Sequence, residues 1–238
     1  MYPLRILIVV TSHAAMGDTG KPTGVWLEEL AVPYMRFIGA GADLTVTSIM
    51  GGKIPLDPRS TPPTGPEAPV VERFLADPAV ARTLAHSTPL EAVDATRFDA
   101  VFLPGGHGTM FDFPVSLALD SAVSRAWSAG RVVAAVCHGP AGLIGAVDSD
   151  GKPVVAGRRV SAFTNAEEEA VGLTRAVPFL LQDKLASLGA KVETGPNFEP
   201  FAIADGRLVT GQNPASARKA ADLTLEAIER TRARDHFF

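Results

Sequence analysis

Short runs of β-branched and other apolar residues recur along the chain and alternate with stretches of helical periodicity. Residues 5–11, 99–103 and 131–136 are apolar runs of strand length, the pattern of strands buried on both faces. Residues 43–49 alternate apolar and polar positions and predict another strand. Residues 159–163 predict a fifth, and residues 191–193 and 208–210 two short late ones. Residues 25–38 read as a helix interrupted at Pro33, which should kink it or start a new one. Near the end, Asn213 reads as an N-cap with Pro214 at the first helical position. Ala217, Ala221, Leu225 and Ile228 then form one apolar stripe. Residues 51–69 are rich in Pro, Gly and Thr and predict a surface loop inserted in a single domain spanning residues 1–238.

Alternating strand and helix signals, with little hairpin signal, predict an α/β fold. The expected form is a mostly parallel central sheet with helices on both faces, a flavodoxin-like sandwich. In such sheets the chemistry lies beyond the carboxyl ends of the strands. The residues that follow each apolar run are therefore the candidates.

Composition narrows the classes of function. The 238 residues are 46% hydrophobic and 20% charged, ordinary values for a chain that buries a full core. A net charge of −4 leaves no basic footprint, so nucleic acid is not an expected partner. The apolar run from Ile6 to Val10 is too short for a signal-peptide core, and no run approaches a membrane span. The single cysteine excludes a disulfide within the chain and suits a reducing compartment, so a cytoplasmic location is expected.

That cysteine carries the strongest local signal. The strand ending at Val136 runs directly into Cys137-His138-Gly139-Pro140, as in a strand-to-helix nucleophile elbow. A thiol at a helix N-terminus would be favoured as thiolate. The preceding strand ends in Gly105-Gly106-His107-Gly108, a turn whose exposed N–H groups could hold an oxyanion together with the amide of His138. Two acidic clusters offer partners. One of Glu167, Glu168 and Glu169 could orient His138, and spacing does not choose among them. Glu28 and Glu29 point about 100° apart on a helix, so only one can face a pocket. His13 follows the first strand and could line the pocket, whereas His86 and His236 read as surface residues. No His, Cys or carboxylate spacing suggests a structural metal site.

Taken in order, these segments resemble the PfpI-like superfamily that includes the parkinsonism-associated deglycase, a branch of the class I glutamine amidotransferase-like fold. Thr23-Gly24-Val25 through Glu29 matches, as do Gly105-Gly106-His107-Gly108-Thr109-Met110-Phe111-Asp112 and Ala134-Ala135-Val136-Cys137-His138-Gly139-Pro140. So do Phe163-Thr164-Asn165 through Gly172, and Asp205 through Ser216. Within that superfamily the chain is most similar to the chaperone branch of glutathione-independent glyoxalases (glyoxalase III, D-lactate dehydratase).

The resemblance implies Cys137 as nucleophile, His138 as its base, Glu168 as the acid that orients the base, and Glu29 as a protonated acid against the sulfur. It also implies an oxyanion and substrate site at Gly106 and His107, shared with the His138 amide. The implied reaction converts methylglyoxal or another 2-oxoaldehyde to lactate through a hemithioacetal on Cys137, with no metal or organic cofactor. A small-molecule substrate and a homodimer are the implied partners. A protein deglycase or cysteine peptidase-like hydrolase using the same site is one alternative, and a stress-responsive holdase is another. Two departures stand out: Glu167 replaces a frequent glycine, and the Pro-rich loop differs in composition.

Overall fold

The computed structural model describes residues 3–235; His236 lies outside them. A seven-stranded sheet forms the centre, in the order β3-β2-β1-β4-β5-β9-β8. Its strands are β1 (Arg5–Val10), β2 (Asp43–Ser48), β3 (Thr88–Pro89), β4 (Ala100–Leu103), β5 (Val132–Val136), β8 (Ala202–Asp205) and β9 (Leu208–Gly211). All neighbours pair in parallel except β8 and β9, which form an antiparallel pair at one edge.

The continuous apolar runs follow from this burial. Along β1, Ile6, Ile8 and Val10 join one core layer, while Leu7 and Val9 join the other. The first layer packs under α1 (Leu27–Gly39), α2 (Ala68–Leu75) and α8 (Ala217–Asp235), and the second under α5 (Leu117–Ser128) and α7 (Leu181–Ser187). The remaining helices are α3 (Pro78–Ala85), α4 (Thr109–Asp112) and α6 (Asn165–Ala170). Pro33 lies inside α1, which runs continuously from Leu27 to Gly39. Asn213 and Pro214 open a short 3-10 turn, Pro214–Ser216, that leads into α8. Among the described residues no helix is long and apolar enough to cross a membrane.

Two expectations are corrected. The strand expected over residues 159–163 shrinks to β6 (Arg159–Val160), which pairs with β7 (Lys191–Val192) in a separate two-stranded sheet. Beyond Val160 the backbone is held singly: Ser161 N donates to Thr210 Oγ1 at 2.8 Å and Phe163 N to the Cys137 carbonyl at 2.9 Å. The Pro-rich segment is also more than a surface loop. Ile54, Asp57 and Ser60 are buried, and Ser60 Oγ accepts from Leu27 N at the start of α1. The Val25 amide donates to the Pro55 carbonyl, and the Asp57 amide to the Val25 carbonyl.

Strands β1, β4 and β5 lie side by side, with Leu103 opposite Ala135 where β4 and β5 end. The chain leaves β1 toward β2 and returns to β4 on its other side. The residues beyond these carboxyl ends therefore meet at the point where strand order reverses, where open α/β sheets bind ligands.

Candidate active site

Cys137 is the first residue beyond β5 and takes φ +60°, the left-handed region that side chains avoid at a cost of roughly 1–2 kcal/mol. The surroundings enforce it: Cys137 N donates to the Gly211 carbonyl, and the Cys137 carbonyl accepts from Phe163. Two residues on is Gly139, where any Cβ would run into the Leu103 carbonyl. On the neighbouring turn Gly106 sits at φ +99°, and a Cβ there would strike the Gly24 carbonyl. Thr109 Oγ1 ties the two turns together, donating to the carbonyls of Gly106 at 2.8 Å and His138 at 3.1 Å. Among the described residues neither the Gly106 nor the His138 amide has a hydrogen-bond acceptor.

The structure gathers the candidate side chains around this elbow. Cys137 Sγ lies 3.3 Å from His138 Nδ1, and His138 Nε2 lies 2.7 Å from Glu168 Oε2. Glu168 Oε1 in turn lies 2.7 Å from His107 Nε2, so one carboxylate bridges two imidazoles. All four residues are buried, Cys137 to 3% exposure. Phe163 covers the His138 ring, with centroids 4.4 Å apart. Glu168 comes from α6, whose N-terminus is fixed by a capping box between Thr164 and Glu167.

Glu167 explains its own departure from glycine. Its buried carboxylate accepts from the Thr164 amide and hydroxyl, the Phe198 amide, Gln212 and Asn213. It therefore ties α6 to the loop before β8 and to the turn after β9.

Burial alone would raise the Glu168 carboxyl. Hydrogen bonds from His107 and His138 outweigh it and hold Glu168 below the usual carboxylate range. An ionised Glu168 only accepts, so His138 donates from Nε2, and neutral His138 turns its Nδ1 lone pair toward the thiol. In that tautomer His138 Nδ1 can accept a proton from the thiol.

Glu29, in the first turn of α1, is fully buried, and its Oε2 accepts from Gly105 N at 2.8 Å. Burial pushes Glu29 well above the carboxylate range despite stabilising contacts from Cys137 and Gly105. Its other oxygen, Oε1, has no hydrogen-bond partner among the described residues, although the thiol is near enough to act on the carboxyl. Burial also raises the Cys137 thiol, and the nearby Glu29 charge raises it further. Each charge therefore disfavours the other, and the two groups resist ionising together.

The expectation of a helix N-terminus at the thiol is corrected here. Only a five-residue 3-10 turn, Gly139–Leu143, follows the cysteine, and the nearby charges are carboxylates. Glu28, the alternative to Glu29, is half-buried away from the sulfur and pushed up to about 7 by burial and by Glu67. It lines a hollow with Trp26, Arg59 and Thr64.

Sequence reasoning gave His107 a part only through the turn it sits on. The signal for its side chain was present, a histidine in the turn that follows the strand beside the cysteine strand. His13 stays outside the cluster and stacks on Phe111, while His86 is exposed as expected. The ligand atoms of His107, His138 and Glu168 lie within 4.8 Å of one another, a spacing a metal ion would accept. His138 Nε2 carries the proton it gives to Glu168, however, which removes the lone pair a metal would need there.

The structure thus sets a cysteine at a left-handed elbow, with His138 beside it and a buried Glu29 near its sulfur. The family description that fits the chain is DJ-1/PfpI family, matched over residues 23–229. The chain belongs to the DJ-1/PfpI family. Within reach of this DJ-1/PfpI member is a Saccharomyces cerevisiae protein named as a glutathione-independent glyoxalase. The two are 32% identical over 96% of this chain and 100% of the yeast protein. The crystal structure of glyoxalase III from Candida albicans superposes with a TM-score of 0.85 at 28% identity, covering 94% of this chain and 97% of that one. The Rapid Encystment Protein 24 kDa of Francisella tularensis superposes with a TM-score of 0.90 at 37% identity, covering 94% and 99%.

Proposed function

We propose that this protein is a glutathione-independent glyoxalase that converts methylglyoxal, or another small 2-oxoaldehyde, to a 2-hydroxy acid. What carries this reading is the meeting at one thiol of an acceptor nitrogen, His138 Nδ1, and a buried carboxyl, Glu29. The relatives named as glyoxalases support it.

The chemistry follows from the proton positions. Cys137 Sγ attacks the aldehyde carbon C1 while its proton passes to His138 Nδ1. The oxygen that becomes anionic is held by the Gly106 and His138 amides and takes the proton of Glu29. The product is a hemithioacetal, which removes any need for a glutathione adduct. Glu29, now a carboxylate, takes the C1 proton, and His138 protonates the C2 oxygen to give an enediol. Glu29 then returns its proton to C2 and recovers one from the C1 hydroxyl. These transfers leave a 2-hydroxyacyl thioester on Cys137 and both groups in their starting states. His138 next takes a proton from water, the hydroxide adds to C1, and the thiolate leaves with that proton.

The test uses purified protein and methylglyoxal with no thiol added. Lactate should appear as methylglyoxal disappears, with a transient acyl mass on Cys137. Lactate that forms only after glutathione is supplied would show that Cys137 does not replace it.

The proposal takes the working form as a homodimer, closed two-fold pairs being the commonest assembly. Light scattering should give twice the 24.9 kDa of one chain. A monomer mass that persists over a wide concentration range would remove this part.

A further inference from the structure

The Pro-rich segment places one charged side chain directly on the active-site network. Arg59 lies in a 3-10 turn, Pro58–Ser60, and its Nη2 is 2.9 Å from His107 Nδ1. The guanidinium is itself aimed by Asp57: Nε donates to Oδ1 at 2.9 Å and Nη2 to Oδ2 at 2.6 Å. Asp57 is buried and also accepts from the Thr23 hydroxyl at 2.8 Å. Burial would raise it, but the bonds and charge of Arg59 and the Thr23 hydroxyl keep it below the usual carboxylate range. The side chain thus arrives at His107 on a fixed, ionised support.

A guanidinium carries only donors. His107 Nδ1 must therefore accept, which puts the ring proton on Nε2, where it meets Glu168 Oε1 at 2.7 Å. Arg59 and the ionised Glu168 therefore select the same His107 tautomer from opposite sides of the ring, Arg59 by leaving Nδ1 only the acceptor's part. The opposite tautomer would turn the Nε2 lone pair onto the Glu168 carboxylate and break that bond. Glu168 would then be held from one side only, by His138. Burial, the neighbouring His138 and Arg59 together push His107 down to about 4 against the pull of Glu168, so the ring stays neutral in the physiological range.

Resting on the reaction proposed above, we infer that Arg59 is a positioning residue: by donating to His107 Nδ1 it makes His107 clamp Glu168 onto His138. The line from Asp57 through Arg59, His107, Glu168 and His138 to Cys137 reaches the sulfur from a segment far away in sequence. Arg59 does not meet the reacting atoms. It acts by holding the carboxylate that keeps His138 Nδ1 turned to the thiol.

Arg59→Met removes the donors and keeps much of the stem, and Arg59→Lys restores a donor-only cation. The first readout is long-range nitrogen–proton NMR of the histidine rings. Wild-type His107 should show a proton on Nε2 and none on Nδ1, and Arg59→Met should add the Nδ1-protonated form. The second readout is turnover of methylglyoxal. Arg59→Met should lower kcat roughly tenfold to a hundredfold, the loss expected with a hydrogen bond from a charged group. KM should stay within about threefold, because the uncharged substrate loses no contact. Arg59→Lys should recover part of kcat together with the wild-type tautomer.

An Arg59→Met protein with wild-type His107 protonation, or with unchanged kcat, would overturn the inference. A change confined to KM would assign Arg59 to substrate binding and overturn it equally. If Arg59→Met does not fold, Asp57→Asn loosens the same guanidinium and should show the same His107 change. The ring spectra require no turnover, so they decide the clamp even if the wild-type protein fails to convert methylglyoxal.

Discussion

Cys137→Ser is expected to abolish turnover while leaving the protein folded. The hydroxyl occupies slightly less space than the thiol, and His138 Nδ1, 3.3 Å from the sulfur, remains available to bond it. The backbone keeps its φ of +60° and its bonds to Gly211 and Phe163, so stability should change by no more than about 1 kcal/mol. Chemistry does not survive as well. An alcohol is a far weaker nucleophile than a thiol and a poorer leaving group from an acyl intermediate. The loss should reach about three orders of magnitude or more, as for nucleophiles that work as a unit with their base. Steady-state rates and thermal melts on the same sample check both halves. Comparable turnover in a pure Cys137→Ser preparation would end the covalent mechanism.

Glu29→Gln should separate addition from isomerisation. The amide oxygen can still accept from Gly105 N, 2.8 Å from the present carboxyl oxygen, so local geometry should hold. Addition uses the thiol, His138 and two backbone amides, and none of these is removed. The step that lifts a proton from one carbon and returns it to the next has no substitute, because an amide neither accepts nor returns that proton. General acid–base groups contribute about a hundredfold to ten-thousandfold, so kcat should fall at least about a hundredfold. Intact mass should show a reversible methylglyoxal adduct that vanishes when Cys137 is also replaced. Near wild-type turnover would show that another group moves the proton.

The central strands were legible because they are buried on both faces, which leaves no polar position to interrupt the runs of β1, β4 and β5. The edges were not. β3 is two residues long, and β8 is an antiparallel strand whose half-buried end, Ala204 and Asp205, dilutes any pattern. Residues 159–163 read as a strand from their apolar positions, yet the backbone beyond Val160 bonds to the ends of β9 and β5 singly, outside any ladder.

At the site, Cys137 and His138 were visible as a strand end. The choice of Glu29 over Glu28 and of Glu168 over its neighbours came from resemblance, since helix periodicity leaves several acids eligible. Position decides it physically: the Glu29 carboxyl reaches across to Gly105, and Glu168 spans two imidazoles. Arg59 was illegible. Its contact with His107 joins residues 48 apart in sequence and exists only because the Pro-rich segment folds down onto α1.

The 3% exposure of Cys137 turns selectivity into a question of tether length. An aldehyde adduct on a protein lysine arrives attached to a folded surface, and the side chain must carry the carbonyl from that surface down to the sulfur. A free three-carbon aldehyde trails nothing behind it. The Pro-rich segment that carries Arg59 is pinned at both Val25 and Leu27, so it is held against α1 and does not hang free. A sulfur so nearly enclosed favours a carbonyl that can detach itself from bulk over one that cannot.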